Sequence, residues 1–131
     1  MNDLILLAKA FADPTRIRIL AALRGGEMCV CELCDAMEMA QPNLSTHLQV
    51  IRQAALVTTR KDGKWVYYGL EPNQASLVDT LFGHYQDALQ ADKRLQRDAE
   101  RLAQRLELRE EGRCVRGFCQ LDISSEGGEN E

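Results

Sequence analysis

The 131 residues carry 45% hydrophobic side chains and a net charge of −4, the balance of one small globular domain with an appendage. No apolar run reaches the roughly 18 residues of a membrane span, and Met1 to Lys9 lack the basic leader and small-residue cleavage site of a secretory signal, so a cytoplasmic protein is expected, without a membrane partner. In that compartment five cysteines are not expected to form structural disulfides, which leaves thiols for metal or redox work.

Near residues 4–12, Leu4, Leu7, Ala8 and Phe11 recur at helical spacing. Asp13-Pro14 then starts a second helix, with Asp as the N-cap and Pro in the first turn, and Gly25-Gly26 ends it. Met28-Cys29-Val30 reads as an extended entry to a short third helix, Cys31 to Met37. After the turn at Met39-Ala40, Gln41-Pro42 opens a fourth helix to about Ala54, with Leu44, Leu48 and Ile51 inward. Helix, tight turn and helix at this spacing is the helix-turn-helix pattern. Leu56 to Arg60 and Trp65 to Leu70 are β-rich and flank Asp62-Gly63, a strong hairpin-turn signal. They predict a two-stranded wing, in which Trp65, Tyr67 and Tyr68 serve strand packing.

Glu71-Pro72-Asn73 breaks the chain, and a long helix is expected from about Gln74 to Glu110. Leu81, Tyr85, Ala88, Asp92, Leu95, Ala99, Leu102 and Leu106 recur along it at alternating gaps of four and three, a seam that a second copy of the chain would cover. The fold class is therefore mostly α (α+β): a winged helix-turn-helix with a two-stranded β wing and a long C-terminal dimerisation helix. Residues 1–110 form this unit, and 111–131 form a flexible Gly/Ser/acidic tail containing Cys114 and Cys119.

Charge is distributed unevenly. Between Ala40 and Leu70, Arg52, Arg60, Lys61 and Lys64 stand against Asp62, a local +3 on an acidic chain. Such a face docks on DNA with steep salt dependence. The side chains offered to double-stranded DNA are Gln41, Asn43, Ser45, Thr46 and His47 at the start of the fourth helix, where amides and hydroxyls reach base edges, and Arg60, Lys61 and Lys64 at the wing tip.

Cys29-Val30-Cys31-Glu32-Leu33-Cys34 places three cysteines in six residues. Cys31 and Cys34 share a helical face, whereas Cys29 would point about 160° from Cys31 in a regular helix. The three sulfurs converge only if Cys29 lies in the non-helical lead-in or the first turn distorts, which would couple ligand binding to the helix-turn-helix. Three thiolates suit a trigonal, thiophilic centre such as arsenite or antimonite; zinc prefers four ligands, and no fourth is obvious nearby. Glu27, Glu32 and Asp35 tend to raise the thiol pKa values, and basic neighbours are sparse. Cys114 and Cys119 stand as additional candidate ligands. A thiol enzyme would need an activating base and a substrate pocket that the sequence does not display. A DNA-binding regulator of cadmium, lead, zinc or oxidation is a further alternative, and a fourth thiolate or His contributed by the other chain would favour those ions.

Asp13 to Leu20, the Cys29 to Cys34 element, Gln41 to Leu48 and Gly63 to Tyr68 occur in the order found in the ArsR/SmtB family of metal-responsive repressors, which this chain resembles over about residues 5–106, most strongly in its arsenical-resistance branch. The resemblance implies a non-enzymatic homodimer that binds a palindromic operator, uses Cys29, Cys31 and Cys34 as metal ligands, and leaves DNA when As(III) or Sb(III) binds as inducer, with no organic cofactor. Other members hold metals on the C-terminal helix. Here His84, with Asp79 and Asp87, does not reproduce that spacing and is assigned to packing or surface.

Overall fold

The Asp13 side chain accepts hydrogen bonds from the Thr15 and Arg16 amides at 2.8 and 3.3 Å, capping a helix whose first residue is Pro14. Local signals of this kind set most element boundaries in the computed structural model, which describes residues 1–115 and 117. The order is α1 (Asn2–Ala10), α2 (Pro14–Leu23), β1 (Met28–Cys29), α3 (Val30–Met37), α4 (Gln41–Gln53), β2 (Val57–Asp62), β3 (Trp65–Leu70), α5 (Pro72–His84), α6 (Gln86–Gln90) and α7 (Lys93–Leu106).

One core gathers Ile19 and Leu20 of α2, Leu33 and Cys34 of α3, Leu44, Leu48 and Ile51 of α4, and Val78 and Phe82 of α5. The inward face expected for α4 is the observed one, and α3, turn and α4 form the helix-turn-helix. The turn holds Glu38 in the left-handed region at φ 54°, a conformation that costs a non-glycine residue about 1 kcal/mol or more. The Arg97 guanidinium, 2.7 Å from its carboxylate, holds the side chain of that residue in place.

Three features differ from the expectations. The lead-in to α3 is a short strand: Met28 pairs with Tyr68 and Cys29 with Tyr67, so the wing is a three-stranded antiparallel sheet in the order β1-β3-β2. At the hairpin, Asp62 pairs with Trp65, so the loop is Gly63-Lys64 rather than Asp62-Gly63. Only Gly63 there takes positive φ, +63°, as a glycine at the first central position of a two-residue loop does.

The third difference is the helix expected over 74–110, which is divided into α5, α6 and α7. Asp92, read as a charge within the seam, instead accepts from the Arg94 and Leu95 amides at 2.9 and 3.1 Å and caps α7. The division lets α7 fold back on α3 and α2. Leu102 and Leu106 then pack against the chain's own core, while Tyr85 of the same seam is exposed.

The α3–α7 contact is a ladder of opposite charges. Arg97 pairs with Glu38, Arg105 with Asp35 at 2.9 Å and Arg109 with Glu32 at 2.6 Å. Arg101 donates to the Ala36 and Asp35 carbonyls near the end of α3, at 3.2 and 3.0 Å. Going up α7 from Arg97 to Arg109 the partners run down α3 from Glu38 to Glu32, so the ladder is antiparallel. Arg18 of α2 grips Asp98 of α7 through two bonds of 2.7 and 2.8 Å. Burial alone would raise the Glu32 carboxyl, but the Arg109 guanidinium and the Cys29 amide outweigh it and hold it below the usual carboxylate range.

Two outcomes are expected. Asp98→Ala leaves a largely buried guanidinium unpaired and should cost about 3 kcal/mol in denaturant unfolding, most of it regained in the Arg18→Met/Asp98→Leu pair; an Asp98→Ala chain as stable as wild type would remove this contact as the α2–α7 tie. Glu32, with its depressed carboxyl, stabilises the fold above the ordinary carboxylate range and loses that contribution as pH falls through its own lower value. Glu32→Gln should therefore cost about 2 kcal/mol at pH 7, with the gap to wild type narrowing in acid below about pH 4. A gap that is constant or widens in acid contradicts the assignment.

Candidate metal centre

Cys29 ends β1 and caps α3, with φ −81° and ψ 162°. Its amide donates to Glu32 Oε1 at 3.0 Å, which anchors the first turn of α3 without distorting it. The Cys29 side chain thus leaves from extended backbone and meets Cys31 from within α3, their Sγ atoms 2.7 Å apart. The non-helical lead-in thus brings Cys29 to Cys31, but the expected convergence of all three motif sulfurs does not occur, because Cys34 stays in the main core.

The third sulfur in contact is Cys114, 3.0 Å from Cys29 Sγ and 3.3 Å from Cys31 Sγ. Among the described residues this trio is a group able to hold a metal ion, and all three are buried. Cys34, three residues and so about 60° and 4.5 Å of rise from Cys31, is not part of the group and packs in the main core. Cys119 lies outside the described residues.

The trio forms a small cluster of its own with Tyr67, and Trp65 packs against it. The Cys114 amide donates to the Tyr67 hydroxyl oxygen at 2.6 Å, and Arg60 and Arg109 lie over the Tyr67 ring, 4.6 and 5.8 Å from its centroid. Arg105 is fully buried. Beside its pair with Asp35 it reaches Cys31 Sγ at 3.8 Å and Cys114 Sγ at 4.0 Å, and donates to the Gly117 carbonyl at 2.9 Å. The Cys31 thiol, and then burial, push the Cys29 thiol far above its ordinary value. The Cys29 proton is thus held tightly. For bonds of about 2.3 Å at near-tetrahedral angles, sulfurs sharing an ion stand about 3.8 Å apart, so the trio seats one by opening about 1 Å or less per edge.

Sequence reasoning missed Arg105, Tyr67 and the ion pair of Arg113 with Asp62 at 2.8 Å. Basic neighbours look sparse near the cysteines only because they arrive from α7 and beyond. The available signal was Arg97, Arg101, Arg105 and Arg109 at steps of four, facing Glu32, Asp35 and Glu38 at steps of three.

The side chains expected from the sequence to meet DNA lie on two elements. Gln41, Asn43 and Thr46 are exposed at the start of α4, with Ser45 and His47 half-buried. Gln41 Nε2 donates to Ser45 Oγ at 2.8 Å, and Thr46 Oγ1 to the Pro42 carbonyl at 3.0 Å. His47 Nδ1 lies 3.2 Å from the Arg16 guanidinium, tying α4 to the start of α2. Lys61 and Lys64 are exposed on the wing, and Arg60 is paired with Glu27 at 2.8 Å. Among the described residues no helix is long and apolar enough to cross a membrane.

Comparison with known proteins agrees with this geometry. The model for "Bacterial regulatory protein, arsR family" matches residues 13–59, from the α2 cap into β2. The chain is 43% identical over 100 residues to the arsenic resistance transcriptional regulator ArsR1 of Pseudomonas putida, covering 76% of this chain and 77% of that one. It is 41% identical over 92 residues to the arsenical resistance operon repressor of Escherichia coli, covering 66% and 79%. Among solved structures, HlyU of Vibrio cholerae superposes with a TM-score of 0.58 at 34% identity, over 64% of this chain and 92% of that one. The repressor BigR of Xylella fastidiosa gives 0.55 at 34%, over 64% and 87%. By sequence along most of its length and by its winged helix-turn-helix, the chain belongs to the ArsR family of transcriptional regulators.

Proposed function

We propose that the chain is a homodimeric repressor that holds operator DNA and releases it when trivalent arsenic or antimony is taken up by cysteine thiols. The observation that carries the reading is the buried sulfur cluster, built where β1 enters the helix-turn-helix. Relatives named for arsenic and arsenical resistance support the inducer class. Soft, three-sulfur ligation selects such centres over harder ions.

In this reading α4 enters the major groove with Gln41, Asn43, Ser45, Thr46 and His47 at its reading end, and Arg60, Lys61 and Lys64 of the wing meet the backbone. Two copies place two α4 helices about one helical turn apart. Leu4 and Ile5 of α1, 66% and 47% exposed, form the apolar face that we assign to the second copy in place of the divided C-terminal seam. Because Cys29 belongs to the sheet and Cys31 to α3, an ion that spreads their sulfurs from 2.7 Å shifts wing and helix-turn-helix against each other. DNA affinity falls to the extent that the inducer prefers the shifted state. The same short sulfur distances favour one rival, a regulator switched by disulfide formation.

A gel-mobility assay under excess reductant separates the two. Arsenite and antimonite should release operator DNA at concentrations where zinc does not, and Cys29→Ser/Cys31→Ser should hold DNA but ignore both. Release by oxidant alone, or an arsenite response retained in the double variant, contradicts the proposal. Light scattering on Leu4→Lys/Ile5→Lys should show a monomer with weakened operator binding; an intact dimer would move the interface away from α1.

A further inference from the structure

Resting on the metalloid-sensor reading, we infer that the third sulfur is supplied by Cys114 rather than Cys34, so the segment beyond α7 is the closing wall of the inducer site.

The segment is built to deliver that sulfur. After α7, Glu110 and Arg113 exchange backbone hydrogen bonds of 2.9 and 3.0 Å. The turn between them takes Glu111 and Gly112 through positive φ, 55° and 75°. This reversal sends Arg113 to Asp62 at the end of β2, through two bonds of 2.9 and 2.8 Å, and sends the Cys114 amide to Tyr67 on β3. Arg109 fastens the approach to Glu32, and Arg105 fastens the exit at Gly117. The backbone on both sides of Cys114 is therefore held, and its sulfur completes a triangle with Cys29 and Cys31.

Cys34 has the opposite setting. It packs with Leu33, Met37 and the inward leucines of α4 in the main core. Turning its sulfur toward Cys31 would open a void there, and core voids are costly. The charge at the site points the same way. Arg105 faces the sulfurs of Cys31 and Cys114 together, so its guanidinium offsets negative charge gathered on those two.

The chemistry balances without an oxidant. Three thiols meet arsenous acid; three As–S bonds form and three As–OH bonds break. Each thiol proton leaves with a hydroxide as water, and arsenic stays trivalent. Phenylarsine oxide, hydrated to a species with two As–OH groups, needs only two thiols and releases two waters. It is thus a probe for the Cys29–Cys31 pair alone.

The test uses the full chain in a Cys119→Ser background, which removes the one cysteine outside the described residues. X-ray absorption on the arsenite complex counts arsenic–sulfur bonds. Three are expected in the background protein and in Cys34→Ser and Cys34→Ala, and two in Cys114→Ser. The last should also lose arsenite affinity by at least on the order of 10–100-fold, the loss produced by removing a mere hydrogen-bonding partner of a metal ligand, while still binding phenylarsine oxide like the background. Three sulfurs in Cys114→Ser, or two in a folded Cys34 variant, overturn the assignment and leave the metalloid reading standing. No arsenic–sulfur bond in the background protein would defeat that reading itself. If both Cys34 variants fail to fold, the Cys114→Ser count decides alone.

Discussion

The contact on which the rest of this molecule depends is the arginine–carboxylate ladder between α7 and α3. It joins the last helix to the first helix of the helix-turn-helix through charged side chains, partly exposed at the Arg97–Glu38 end and completely buried at Arg105 and Glu32. Buried pairs of this kind contribute little net stability compared with apolar packing, because desolvation offsets the attraction. What they supply is position. An apolar stripe would allow α7 to slide along α3. A ladder of guanidinium groups matched to Glu32, Asp35 and Glu38 admits one register, since a shift by one rung strands a charge at each end.

That register decides what happens at the sulfurs. Arg105 and Arg109 lie at the lower end of the ladder, beside the start of α3, where Cys29 and Cys31 already meet. The chain leaving α7 can only emerge there, and it turns back along the wing. The centre is thus shared by the strand entering α3, the first turn of α3, the wing strand β3 through Tyr67, and the segment after α7. Tyr67 alone pairs with Cys29 through its backbone, accepts from Cys114 through its hydroxyl and lies under two guanidinium groups.

Much of the scaffold was legible in the sequence because its signals are local. Asp13-Pro14 and Gln41-Pro42 mark helix starts through capping and proline geometry, and Leu44, Leu48 and Ile51 declare the buried face of α4 at one helical period. Gly63 marks the hairpin to within one residue. What escaped were features that depend on distant partners. β1 is too short to announce itself, and its pairing with β3 exists only once the wing has formed. The even seam over 81–106 concealed the breaks near Tyr85 and Asp92, although aspartate is as good a helix cap as it is a poor seam residue. The cysteines were legible as a chemical class but not as a set. Spacing groups Cys34 with Cys31, whereas packing turns Cys34 inward and brings in Cys114 from a segment that composition describes only as polar and glycine-containing.

The placement of Cys114 separates two tasks along the chain. The surfaces proposed to meet DNA occur between residues 41 and 64, and the segment that brings the third sulfur occurs after residue 105. Substitutions in the later stretch can reshape the cavity, its charge and its number of sulfurs while leaving the exposed side chains of α4 and the wing untouched. On the proposed reading, selection for a different toxic ion, or for an arsenical carrying an organic group, therefore has a short and separate piece of sequence on which to act.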